Sequence, residues 1–122
     1  MYRGEHGKAV RDFTQALQQQ SKHGQTYYRR GECLFEISHY DKAVNDCTRV
    51  LKSGENHAGV QFTRARALRQ LGRNEQAVKD LTAVIKIDPH YAAAFYERGL
   101  AQQSRGAHEA AIADFSSAIA SN

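Results

Sequence analysis

A chain of 122 residues holds one modest domain, and 41% apolar with 25% charged residues is the balance of a globular protein rather than a disordered tail. The net charge of +4 is mildly basic, without the Lys/Arg block that marks a nucleic-acid arm. No run nears the ~20 apolar residues of a membrane span, and MYRGEHGKAV has no signal-peptide core, so a soluble, intracellular, cytoplasmic protein is expected.

With Pro89 as its one proline, the chain suits helices. Seven are predicted, over 8–20, 24–37, 41–53, 58–71, 74–87, 92–105 and 108–120. The first carries Ala9, Val10, Asp12, Phe13 and Leu17. The second has the small Gly31 and precedes Ser38. The third returns to the pattern of the first, with Ala43, Val44, Asp46, Cys47 and Leu51 each 34 residues further on. The fourth sets Ala65 where the second has Gly31, and stops before Gly72. The fifth gives Ala77, Val78, Asp80, Leu81 and Ile85, and Asp88-Pro89 ends it, since proline disfavours helix at the residue before it. The sixth has Gly99 in the small column and stops before Gly106. The seventh closes the series with Ala111, Ile112, Asp114, Phe115 and Ile119, one broad apolar face.

Several columns thus recur on a 34-residue step without an insertion, which is the signature of stacked helix pairs. Gly4, Ser38, Gly72 and Gly106 fall on the same step and predict turns, Gly106 in a left-handed one. Arg30, Arg64 and Arg98 each precede an aspartate by sixteen residues, namely Asp46, Asp80 and Asp114. A charge that repeats in step with its counter-charge is expected to be an ion pair joining two helices rather than an anion site. Cys33 and Cys47 occupy columns filled elsewhere by alanines or by Phe13, Leu81 and Phe115, so both are expected as reduced, packed thiols.

The pattern resembles the tetratricopeptide repeat. That unit has a small residue in helix A (here Gly31, Ala65, Gly99), an alanine in helix B (Ala9, Ala43, Ala77, Ala111), a large apolar residue four further on, and a closing proline (Pro89). The ankyrin signature is absent. The resemblance implies an all-α, right-handed α-solenoid of antiparallel helix pairs, about three and a half repeats long. Its divisions are a partial repeat over 1–23, helix B alone, and full repeats over 24–57, 58–91 and 92–122. Residues 2–7 match the end of a helix A and its turn. Neither end carries a polar cap, so the expectation is a segment of a longer array, or ends covered by another molecule.

In this family helix A lines a concave groove. The resemblance puts Tyr28, Arg29 and Glu32 there from one repeat, Phe62, Arg66 and Arg69 from the next, and Tyr96 and Leu100 from the last. Tyr28, Phe62 and Tyr96 share one column and would form a ladder of rings. Arg66 and Arg69, three apart on one helix face, could grip a carboxylate or pair with Glu32. The mixture of Arg29, Arg66 and Arg69 with Glu32, Glu36 and Glu97 argues against nucleic acid, the weaker reading through Arg66, Arg69 and Arg73. Family members that clamp chaperone tails carry Lys, Asn and Arg where this chain has Tyr28, Glu32, Thr63, Ala93 and Glu97, so that partner is not expected. The histidines fall in turns or at helix ends, without metal-ligand spacing, and no phosphate loop or activated nucleophile appears. The chain is therefore read as a scaffold without catalysis, metal or cofactor, holding a peptide or protein segment. The alternative is an architectural segment that self-associates through its terminal helices, where Val10, Phe13, Ala16 and Leu17 at one end and Ile112, Phe115 and Ile119 at the other seek partners.

Overall fold

The computed structural model describes residues 3–19, 24–53 and 57–121. They form α1 (Arg3–Gln19), α2 (Gly24–Glu36), α3 (Tyr40–Lys52), α4 (Ala58–Gln70), α5 (Asn74–Ile87), α6 (Ala92–Ser104) and α7 (His108–Ala120), with no strand among the described residues. Each helix packs on its chain neighbours, giving the predicted all-α, right-handed solenoid. The backbones of α2 and α4, and of α4 and α6, approach within 8 Å, whereas α1, α3, α5 and α7 make no such approach to one another. Helices of the A class (α2, α4, α6) therefore crowd on the inner side of the curve. Those of the B class (α1, α3, α5, α7) splay on the outer side.

Three turns between helix A and helix B are built alike. Ser38, Gly72 and Gly106 adopt φ of 67°, 79° and 81°. The next amide then reaches back to the helix: His39 N–H donates to Leu34 O at 2.8 Å, Arg73 to Leu68 at 2.9 Å and Ala107 to Gln102 at 2.9 Å. The fourth member of the column departs from the expectation, because Gly4 lies within α1, which starts five residues before the predicted 8. Glycine is tolerated inside a helix at a cost of about 1 kcal/mol, and here the helical ladder runs through it. After α5, Asp88 is extended at φ −135° and its Oδ1 accepts from His90 N–H at 3.1 Å, the stop foreseen at Asp88-Pro89.

The core is made of small residues in register. Ala43, Ala65, Ala67, Ala77, Ala94 and Ala101 are wholly buried, and Leu81, Val50, Val60, Val84 and Cys47 are the largest fully buried side chains. Small columns let helix A and helix B backbones close up, and the larger residue opposite fills what remains. Ala65 stands in the column of the small residue while its helix B contributes Leu81. Gly31 faces Cys47, and a Cβ there would meet its Sγ at 3.4 Å. Gly99 faces Phe115, and a Cβ there would come within 2.6 Å of the ring. Both cysteines are free, as expected: Cys47 is buried, and burial followed by the nearby Asp46 pushes its thiol up to about 12. Cys33 is half-buried, and burial again leads the upward shift of its thiol.

One polar bridge joins this apolar stack and recurs in each repeat. Arg30 grips Asp46 with Nε and Nη2, both at 2.7 Å; Arg64 grips Asp80 at 2.8 and 2.7 Å, and Arg98 grips Asp114 at 3.0 and 2.8 Å. The carboxylates are nearly buried, at 6%, 8% and 7% side-chain exposure, so the predicted ion pairs are structural. Hydrogen bonds to Asp46 and Asp80 come first among the causes that raise Arg30 and Arg64 above the usual guanidinium range. The third nitrogen does what the sequence reading missed. Nη1 of Arg30, Arg64 and Arg98 donates to the hydroxyls of Thr14, Thr48 and Thr82 at 3.4, 3.3 and 3.2 Å. Those threonines lie sixteen residues before each arginine, on helix B of the preceding repeat. Thr14 and Thr82 meanwhile donate to the carbonyls of Val10 and Val78, which leaves their oxygens free to accept. Each arginine thus ties its own repeat to the one before.

Two measurements follow from this packing. Gly31→Ala should be neutral, or stabilising by up to ~1 kcal/mol from helix propensity. Gly99→Ala should lose about 1 kcal/mol despite the same propensity gain, because Phe115 must be displaced. Adding Phe115→Leu, which recreates the Ala65–Leu81 pairing, should recover that loss; thermal melts of the three variants decide it. Asp80→Asn should cost about 2–4 kcal/mol, since it strands a half-buried guanidinium, and Arg64→Lys should not substitute because it lacks the two-pronged grip. Urea unfolding curves measure both.

Candidate functional site

The inner face is formed by α2, α4 and α6, and the candidate binding residues all stand on them. Their environments differ sharply. On α2, Tyr28 is half-buried, its ring edge-on to His57 at 5.4 Å. Burial pushes its phenol above the usual tyrosine range, with a hydrogen bond to Thr63 pulling the other way. Arg29 and Glu32 are exposed. With the Gln25 amide oxygen turned toward it, Arg29 donates at 3.1 and 3.2 Å.

On α4, Phe62 packs against the Tyr91 ring at 5.1 Å and joins the central apolar cluster. On α6, Tyr96 is 51% exposed with its ring 5.9 Å from Phe115, and Leu100 is half-buried. The three rings of the shared column therefore do not form a uniform ladder. Two of them meet a residue 29 positions later, His57 or Tyr91, and the third has no such neighbour among the described residues.

Arg66 and Arg69 are tied to Glu97 and not to Glu32. Arg69 Nε donates to Glu97 Oε2 at 2.8 Å, and Arg66 Nε lies 3.8 Å from Oε1. The Arg66 guanidinium also covers the Phe35 ring at 4.3 Å and stands 5.6 Å from the Phe62 ring. Glu97 is buried, so the two cations stabilise its charge. The cluster draws on three successive helices of the A class and is neutralised within itself to +1. A ligand carboxylate would have to compete with Glu97 for Arg69, whereas Arg66 keeps an outward edge and the exposed Arg29 is held only by the neutral Gln25 amide.

Among the described residues no group of three or more His, Cys, Asp or Glu is placed to hold a metal ion, and no helix is long and apolar enough to cross a membrane.

Comparison with known proteins places this architecture. Residues 1–58 match the model of a tetratricopeptide repeat, and residues 65–106 match a model described as TPR repeat. Among solved structures, the MamA RS-1 ArsTM double mutant is similar at 25% identity and a TM-score of 0.91, covering 98% of this chain and 67% of that one. MamA 41-end from Desulfovibrio magneticus RS-1 is similar at 20% identity and a TM-score of 0.90, over 95% of this chain and 66% of its own. The second TPR of Spaghetti (RPAP3), bound to the HSP90 peptide SRMEEVD, is 28% identical with a TM-score of 0.77, covering 88% and 99%. The chain spans 63% of the length of another MamA crystal structure to which it is similar. No curated protein sequence matches it. Two models of one repeat family, on a solenoid whose turns and ion pairs recur every 34 residues, agree: the chain belongs to the tetratricopeptide repeat family.

Proposed function

We propose that the chain is a non-catalytic interaction scaffold whose inner face holds an extended or helical segment of another protein. The observation that carries this reading is the contrast between two sets of columns. Residues that repeat are consumed in packing and in the arginine bridges. Residues that vary, Arg29, Glu32, Arg66, Arg69 and Leu100, share the inner face with the half-open Tyr28 and Tyr96. Aromatic rings and arginines held in place by neighbours are what binding hot spots are made of. The RPAP3 repeat domain, which is similar over 88% of this chain, is bound to a peptide, which supports the class of ligand. It does not support the same peptide, because Tyr28, Glu32, Thr63, Ala93 and Glu97 stand where tail-clamping members carry cations and amides.

Selection from a displayed peptide library tests this. Peptides enriched on the wild-type chain should lose at least about tenfold in affinity with Arg29→Glu combined with Tyr96→Ala, at unchanged melting temperature. Phe62 is left intact because it belongs to the core. Unchanged binding by that double variant would remove the inner face from the account.

A second reading, association between copies, has its own observation. Ala92, Ala93, Tyr96, Phe115, Ala118 and Ile119 line an apolar cavity of about 500 Å³ between α6 and α7. Ile119 is 76% exposed and Ile112 64%, while their counterparts Ile85 and Val78 are covered. At the other end Val10 packs in a core cluster and Phe13 is half-buried; Ala16 and Leu17 lie outside the residues whose side chains are described. Both end helices are of the B class, so copies stacked head to tail would set B beside B and break the alternation of the solenoid. Pairing of α7 with α7 also sets B beside B, but it closes on itself and has no alternation to continue. Sedimentation velocity should therefore show concentration-dependent dimers that Ile112→Glu with Ile119→Glu abolishes. A monomer at every concentration would sink the second reading.

A further inference from the structure

Three of the cavities in this chain lie side by side on the outer surface. The first, about 490 Å³, opens between α1 and α3; the second, about 440 Å³, opens between α3 and α5. A middle one of about 540 Å³ shares Arg30, Asn45 and Asp46 with the first and Thr48 with the second, so the three adjoin. They exist because helices of the B class splay where those of the A class crowd.

The lining is one-sided in charge. Arg11, Lys42, Arg49, Lys52, Arg73 and Lys79 stand along it. Its two carboxylates, Asp46 and Asp80, are already gripped by Arg30 and Arg64. Among the described residues eight cations and two anions line it, a net charge of +6. Exposed Asp12, Asp41 and Glu75 stand on the same helices but outside the lining. Apolar residues stand at two of the floors one repeat apart: Val10 and Ile37 over the buried Leu34 in the first cavity, and Val44 over the buried Leu68 in the second, whose walls are otherwise polar.

We propose that this outer channel is a second docking site, taking an acidic peptide segment that carries apolar side chains. The rim attracts the carboxylates, and each floor accepts one apolar anchor, a division of labour between steering and affinity that charged clefts with low-dielectric walls provide. A nucleic acid fits less well. Phosphates would satisfy the cations but leave both apolar floors unfilled, and Tyr27, the aromatic in the lining, is buried and unable to stack on a base. The site is independent of the inner face, which lies on the opposite side of the helix pairs.

Fluorescence anisotropy on the whole chain tests it with three probes: labelled acidic peptides bearing two leucines at varied separation, the same peptides with alanine for leucine, and a single-stranded oligouridylate. The leucine peptides should bind at least about tenfold more tightly than the alanine set. Lys42→Glu with Lys79→Glu, both exposed and outside every packed cluster, should weaken them about tenfold or more, while Arg29→Glu on the inner face should leave them unchanged. The proposal is overturned if none of the peptides binds, if leucine makes no difference, if oligouridylate binds more tightly than the peptides, or if Arg29→Glu is the variant that abolishes binding.

Discussion

The arginine bridge sets the geometry on which the rest of the solenoid depends. A guanidinium offers a planar fork of donors, and here each face of the fork has a fixed assignment: a carboxylate on its own helix B and a hydroxyl on the previous one. Apolar contacts between small residues are permissive, since alanine surfaces slide past one another at little cost. Directional bonds at 2.7–3.4 Å are not permissive. Repeating the same three-way bond at Arg30, Arg64 and Arg98 therefore imposes the same offset between successive helix pairs, and a constant offset is what turns a string of hairpins into a regular curve.

That division explains what the sequence disclosed. The helix count, the solenoid, the small columns and the Arg–Asp pairs were legible because each repeats, and repetition reveals contacts without needing coordinates. The Thr14, Thr48 and Thr82 column was equally periodic and still went unread, because a hydroxyl at helical positions has many uses and its partner sits in the next repeat. Glu97 was harder. Its column runs Arg29, Thr63, Glu97, and the column of its partner runs Phe35, Arg69, Gln103. Neither repeats, so no period betrays the bond. The same holds for Arg66 on Phe35. The start of α1 shows the reverse: Gly4 fits the periodic turn column, yet glycine permits a left-handed turn without requiring one.

What repeats is therefore frame and what varies is surface. The inner face illustrates this with Tyr28, Phe62 and Tyr96. One column yields a half-buried phenol, a core ring and an exposed ring, because Tyr28 and Phe62 meet His57 and Tyr91 from the following helix pair whereas Tyr96 meets Phe115 within its own. Column membership fixes where a side chain starts and leaves its surroundings to residues outside the pattern.

The contrast between the crowded A side and the splayed B side has a mechanical consequence. Along the inside, Phe35, Arg66, Arg69 and Glu97 link three successive helices through stacked and charge-assisted contacts. Along the outside, neighbouring helices are separated by open crevices. Both edges are nevertheless clamped, the inner one by these contacts and the outer one by Arg30 and Arg64, which cross the crevices from a threonine on one helix of the B class to an aspartate on the next. Widening a crevice therefore means stretching a charge-assisted bond at its floor, which makes the arc stiff along both edges. A wedge seated between α1 and α3 or between α3 and α5 would have to break the Arg30 or Arg64 bonds before it could alter the pitch of the inner surface, so a ligand that fits these crevices as they stand leaves the arc unchanged.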